Sequence, residues 1–156
     1  MKSLVLGLGN PILTDDGIGI HVVRALAAQW SGVGVDFEEA SVGGLRLLEV
    51  IAGYDRLILV DAIQTPEGRP GQIHRLAAGA LVASLHAGST HDFSFQGALA
   101  WGRRLGMALP SDEAITIIAV EAEDVLTFGE ALTPAVAAAL PGAVDAVLAE
   151  VTGATP

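Results

Sequence analysis

The chain contains no cysteine. Disulfides, thiolate metal sites and a cysteine nucleophile are therefore excluded. Positive charge is also scarce: eight lysines and arginines stand against eighteen aspartates and glutamates, for a formal net charge of −10. Nucleic-acid binding needs a basic footprint, and an acidic chain repels phosphate backbones and anionic membranes. The balance suits a cationic ligand, a metal or a basic partner surface. No apolar run near the start is long enough to span a membrane, because Gly7, Gly9, Asn10, Pro11, Asp15 and Asp16 interrupt it. The basic start and small-residue cleavage site of a secretory signal are missing too. The expectation is a cytoplasmic protein with no membrane or nucleic-acid partner.

What is present is apolar: 51% of the residues are hydrophobic and 17% charged, in a chain of 156 residues. That length fits one domain over residues 1–156, able to bury roughly two thirds of its unfolded surface. Strand and helix patterns alternate. Ser3 to Leu8 reads as a strand, and Ile18, Val22, Val23 and Leu26 recur at helical spacing up to Gln29. Val33 to Ala40 reads as a strand, Leu45, Leu48 and Ile51 as a helix closed by Gly53, and Leu57 to Val60 as a strand buried on both faces. Gly71 to Leu76 suits a short strand, Ala80 to His86 a helix or turn, Phe95 to Leu105 a helix ending at Gly106, and Ile115 to Val120 a buried strand. Pro134 to Val151 reads as the last helix, with Thr133 as its N-cap. The pattern predicts an α/β three-layer sandwich, a twisted, mainly parallel sheet with helices on both faces. It leaves no long apolar helix without a place, so a monomer is expected.

Such sheets bind ligands beyond the carboxyl ends of their strands, near a switch in strand order. Three features fall there. Gly7-Leu8-Gly9-Asn10-Pro11 leads to the paired acids Asp15 and Asp16, at the start of the first helix. The run is no dinucleotide fingerprint, since the third glycine would fall at Ile12, and there is no phosphate-loop lysine. One aspartate suffices to serve the helix start. Asp61 follows the apolar strand Leu57-Ile58-Leu59-Val60, where an ionised carboxylate is costly unless solvated, hydrogen-bonded or metal-bound. His91 lies in the polar stretch Ser89-Thr90-His91-Asp92, where Thr90 or Asp92 can equally cap a following helix. His21, His74 and His86 read as surface or packing residues. Two carboxylates and one histidine on converging loops make an O,O,N set suited to nickel, zinc, manganese or iron, without choosing among them.

In chain order, Gly7 to Pro11 with Asp15-Asp16-Gly17-Ile18-Gly19, Gly43-Gly44-Leu45 through Leu48, Leu59-Val60-Asp61-Ala62, Ser89-Thr90-His91 and Phe128 to Pro134 together resemble the motifs of the hydrogenase maturation endopeptidases. The resemblance implies a twisted sheet between helices. It also implies an endopeptidase that removes the C-terminal extension of a nickel-iron hydrogenase large-subunit precursor once nickel is in place. The family's metal-contacting and catalytic residues carry over to Asp16, Asp61 and His91, with nickel presented by the precursor. Position 16 is glutamate in some relatives, so aspartate shortens the reach by one methylene. On this reading Asp15 serves the helix start and Asp16 faces the metal. Two other readings stay open. A non-catalytic chaperone for nickel and precursor would use the same three residues. Peptidyl-tRNA hydrolases share the Gly-Leu-Gly-Asn-Pro opening, but their Arg-His-Asn continuation is absent after Pro11.

Overall fold

The computed structural model describes residues 1–41, 43–78 and 95–153. In chain order the elements are β1 (Ser3–Leu8), α1 (Ile18–Gln29), β2 (Val35–Ala40), α2 (Leu45–Ile51), β3 (Arg56–Ile63), β4 (Ile73–Ala77), α3 (Phe95–Arg104), β5 (Ile115–Glu121) and α4 (Pro134–Thr152). One sheet carries all five strands in the order β2-β1-β3-β5-β4. The first four run parallel, and β4 closes the edge antiparallel to β5. The α/β three-layer expectation holds.

Alternation along the central strands feeds two cores. Leu4, Leu6, Leu57, Leu59, Ile115 and Ile117 pack with Leu47, Leu48, Ile51 and Leu99 of α2 and α3. Val5, Ile58, Val60, Ile118 and Val120 pack with α1 and with Val136, Ala143, Val144 and Val147 of α4. Strands buried on both faces are apolar along most of their length, which is why Leu4–Leu6 of β1 and Ile117–Val120 of β5 read as unbroken runs. α4 is long and apolar enough to cross a membrane by length and composition, and its buried residues lie in this second core.

Some boundaries differ from expectation. β2 starts at Val35 because Gly34 has φ +80°, a left-handed conformation that interrupts an extended strand. β3 runs on to Ile63, so Asp61 lies within the strand and pairs in register with Ala119 of β5. The helix or turn expected at Ala80–His86 and the Ser89–Asp92 stretch, with His91, lie outside the described residues.

The helix α1 sits close against the sheet. A Cβ on Gly7 would overlap the Gly19 carbonyl oxygen, and one on Gly19 would overlap the Val60 carbonyl oxygen and lie 2.8 Å from that of Leu8. Two facing glycines thus let the first turn of α1 rest on the backbones of β1 and β3.

Candidate active site

The chain leaves β1 for β2 on one side and later returns to place β3 on the other, so the β1/β3 boundary is the switch point of the sheet. The β1–α1 connection crosses its carboxyl end. Gly9, at φ +139°, turns the chain, and a Cβ there would overlap the Asp16 carbonyl oxygen. Asn10 then organises the turn: its Oδ1 accepts from Ile12 N at 3.1 Å and its carbonyl from Leu13 N at 3.1 Å. Thr14–Gly17 forms one 3-10 turn that passes directly into α1 and packs against β3.

The paired aspartates in that turn have different duties. Asp15 is fully buried. Its Oδ2 accepts from Glu123 N at 2.9 Å, Asp124 N at 3.0 Å and the Thr133 hydroxyl at 2.8 Å, and its Oδ1 accepts from Thr133 N at 2.8 Å. The expectation that Asp15 serves the start of the helix that follows it is corrected here. The N-cap of α1 is Gly17, with no side-chain cap bond. Asp15 instead holds the β5–α4 connection and the residue that begins α4. Thr133 does stand at the N-cap of α4 with Pro134 behind it, but its hydroxyl donates to Asp15 and makes no capping bond. Asp16 is half-buried, and its Oδ2 accepts from Asn10 N at 2.8 Å.

Asp61 is entirely buried. Its Oδ1 accepts from the N–H of Ala62 at 2.7 Å. Burial pushes its carboxyl well above the ordinary range; the Ala62 N–H opposes this, and the nearby Asp16 carboxylate adds to the rise. The fold therefore brings Asp16 and Asp61 into one electrostatic neighbourhood at the switch point. Whether His91 joins them lies outside the described residues. Among the described residues, no three His, Cys, Asp or Glu side chains are grouped to hold a metal ion. Two carboxyl groups, one fully buried and one half-buried, are hard oxygen donors that a divalent cation would relieve of mutual repulsion.

A third buried acid escaped the sequence reading. Glu121 ends β5 and is nearly inaccessible. It accepts from Thr65 N at 3.1 Å and from the Thr65 hydroxyl, and meets His74 Nε2 at 3.1 Å. A Cβ on Gly68 would overlap its carboxylate. His74 is thus a hydrogen-bond partner of Glu121, not a plain surface or packing residue. The available signal was the one used for Asp61, an acid closing an apolar strand.

The hydrogenase maturation protease family matches residues 20–150. The chain belongs to that family. The Escherichia coli K12 hydrogenase 2 maturation protease is 39% identical over 72 residues, which is 46% of this chain and 44% of that protein. A hydrogenase expression/formation protein of Thiocapsa roseopersicina is 28% identical over 94% of this chain, and the match spans 66% of that protein. The chain thus spans between about half and two thirds of the length of these relatives. Among solved structures, the E. coli hydrogenase maturating endopeptidase HybD superposes with a TM-score of 0.82 at 30% identity, covering 98% of this chain and 93% of that one. The [NiFe] hydrogenase maturation protease HybD of Thermococcus kodakarensis gives 0.66 at 27% identity, over 95% and 97%.

Proposed function

We propose that this chain is the endopeptidase that trims the C-terminal extension from the large-subunit precursor of a nickel-iron hydrogenase, with Asp16, Asp61 and His91 meeting the nickel that the precursor presents. The observation that carries the reading is the placement of half-buried Asp16 beside fully buried Asp61 at the switch point of a maturation-protease fold. Burial disfavours the ionised form of Asp61 and a divalent cation favours it, so the buried carboxyl gains from meeting one. The pair would therefore bind weakly to a precursor without metal and firmly to one that carries it, making nickel the mark of a substrate ready to be cut.

Hydrolysis adds water across the scissile amide. The attacking water gives up a proton, and the leaving nitrogen takes one. A carboxylate within reach of that water can accept its proton, the task Asp61 would take once the cation has favoured its ionised form. Asp16, anchored by Asn10 N, would fix the metal's position relative to the peptide. As a single unit over residues 1–156, acting in the cytoplasm and as a monomer, the protein would need no nucleic-acid or membrane partner.

The test is intact mass spectrometry of the large-subunit precursor, loaded with nickel or without it, after incubation with the protease. Loss of a C-terminal peptide from the nickel-loaded form alone is expected. Asp61→Asn should abolish the cut while leaving the thermal melt cooperative. Full activity in that variant would remove Asp61 from the site. Nickel-dependent binding without cleavage by the wild type would replace the protease with a chaperone.

A further inference from the structure

Beside Asp16, the fold holds large apolar side chains in water. Leu126 is 84% exposed, Phe128 81% and Ile12 47%. Isolated exposed apolar residues are ordinary, and Val33 and Leu105 are of that kind. These three are different because the backbone draws their loops together. Leu13 bridges Gly129, Gly129 N donates to Ile12 O at 2.9 Å, and Thr14 N donates to Gly129 O at 2.9 Å. The Thr14 hydroxyl donates to Thr127 O at 2.6 Å. Ile12 and Phe128 each stand one residue before a bridged partner, on the rim next to the turn that carries Asp16.

The loop's backbone is also hydrogen-bonded on both flanks. Asp124 Oδ1 accepts from Leu126 N and Thr127 N, both at 2.9 Å, and Asp15 accepts from Glu123 N and Asp124 N on the other flank. These bonds tie the backbone on both flanks of the residues that carry the leucine and phenylalanine. Pre-ordering of this kind lowers the entropic cost of binding. Glu123 and Glu130, both exposed, border the patch with negative charge.

We infer that Ile12, Leu126 and Phe128 form the docking surface for the protein substrate of the adjacent site, and that they take an apolar patch of the precursor bordered by basic side chains. The inference rests on the reading of the site given above. A metal bound to one or two carboxylates offers little discrimination between proteins, so choice of substrate falls to the rim.

The test compares wild type, the double variant Leu126→Ser/Phe128→Ser, and the control Val33→Ser, which removes an equally exposed side chain near the amino end of β2. Precursor cleavage is followed for kcat and KM, with Asp61→Asn run beside them. The double variant should raise KM at least about tenfold with kcat within twofold, the pattern of lost uniform binding. Val33→Ser should match wild type. A KM within twofold of wild type in the double variant, while Asp61→Asn is dead, would overturn the docking surface and leave the site standing. A concentration-dependent dimer in sedimentation that the double variant disperses would assign the patch to self-association and also overturn it. If wild type cuts no precursor, the reading of the site fails on its own account. The docking surface is then judged by precursor affinity: weakening of tenfold or more in the double variant supports it, and equal affinity overturns it.

Discussion

Asp15→Ala should cripple the fold, whereas Asp16→Ala, one residue on, should barely touch it. Asp15 is fully buried and accepts four hydrogen bonds, three from backbone N–H groups and one from the Thr133 hydroxyl. Each bond to an ionised acceptor contributes about 1.5–3 kcal/mol, and a buried donor left without an acceptor costs about 1–3 kcal/mol. The four are not additive, since Glu123 lies at the surface and water can reach part of this connection. The expected loss for Asp15→Ala is about 3–5 kcal/mol, the range for breaking a buried charged interaction. At about 2–4 °C per kcal/mol for a chain of this size, the melting temperature should fall by ~6–20 °C. Asp15→Asn separates the two oxygens. An amide oxygen at Oδ2 keeps three bonds, while the NH2 group faces the Thr133 N–H that Oδ1 accepted, so about 1.5–3 kcal/mol should go. Asp16→Ala gives up one bond, from Asn10 N, and should cost about 1 kcal/mol. Urea titration of the four proteins, by fluorescence and circular dichroism together, reads these differences. If Asp15→Ala and Asp16→Ala lie within about 1 kcal/mol of each other, the assignment of Asp15 as the structural acid is refuted.

Tyr54, the single tyrosine, is pushed up to about 12 by burial and by its bond to Asp36 Oδ2. Its phenolate absorbance in the native protein should titrate near that value, two units above the unfolded chain. Because the folded state holds that proton more tightly, the contribution to stability is whole below pH 10 and fades as pH rises towards 12; a native midpoint near 10 would contradict the bond. Glu150 is held below its usual range by Arg75 and then Arg56, with Thr116 helping. Its stabilisation should be present above pH 4.5 and be lost as pH falls through the lower folded-state value, so Glu150→Gln should flatten the acid limb of a stability–pH curve. Gly19→Ala places a methyl against the Val60 and Leu8 carbonyls, and should cost about 1–3 kcal/mol in denaturant titration.

The central strands and their helices were legible because local chemistry dictates them. Unbroken apolar runs such as Leu57–Val60 have no other stable home than a doubly covered sheet, and Gly17, Gly53, Gly106 and Pro134 punctuate the helices. The switch-point position of Asp16 and Asp61 followed from the alternation of strand and helix. What escaped was non-local. The donors to Asp15 lie at positions 123, 124 and 133, and no spacing rule connects them to residue 15. His74 acquired its role from Glu121 across the β4–β5 pair, and the antiparallel direction of β4 comes from the edge it occupies, not from its five residues. Asp61 lay deeper than expected because Ala62 and Ile63 continue the ladder beside Val120 and Glu121.

The Asp15 latch also sets a time order on the ribosome. Its donors are made more than a hundred positions after its acceptor. Domains form as synthesis supplies their parts, and here the turn bearing Asp16 gains its anchor only after β5 has emerged and α4 has begun. A nascent chain therefore carries the acids of the site long before it can hold them in place. The site is thus assembled from segments more than a hundred positions apart, and its turn is held only once the later segment has been made.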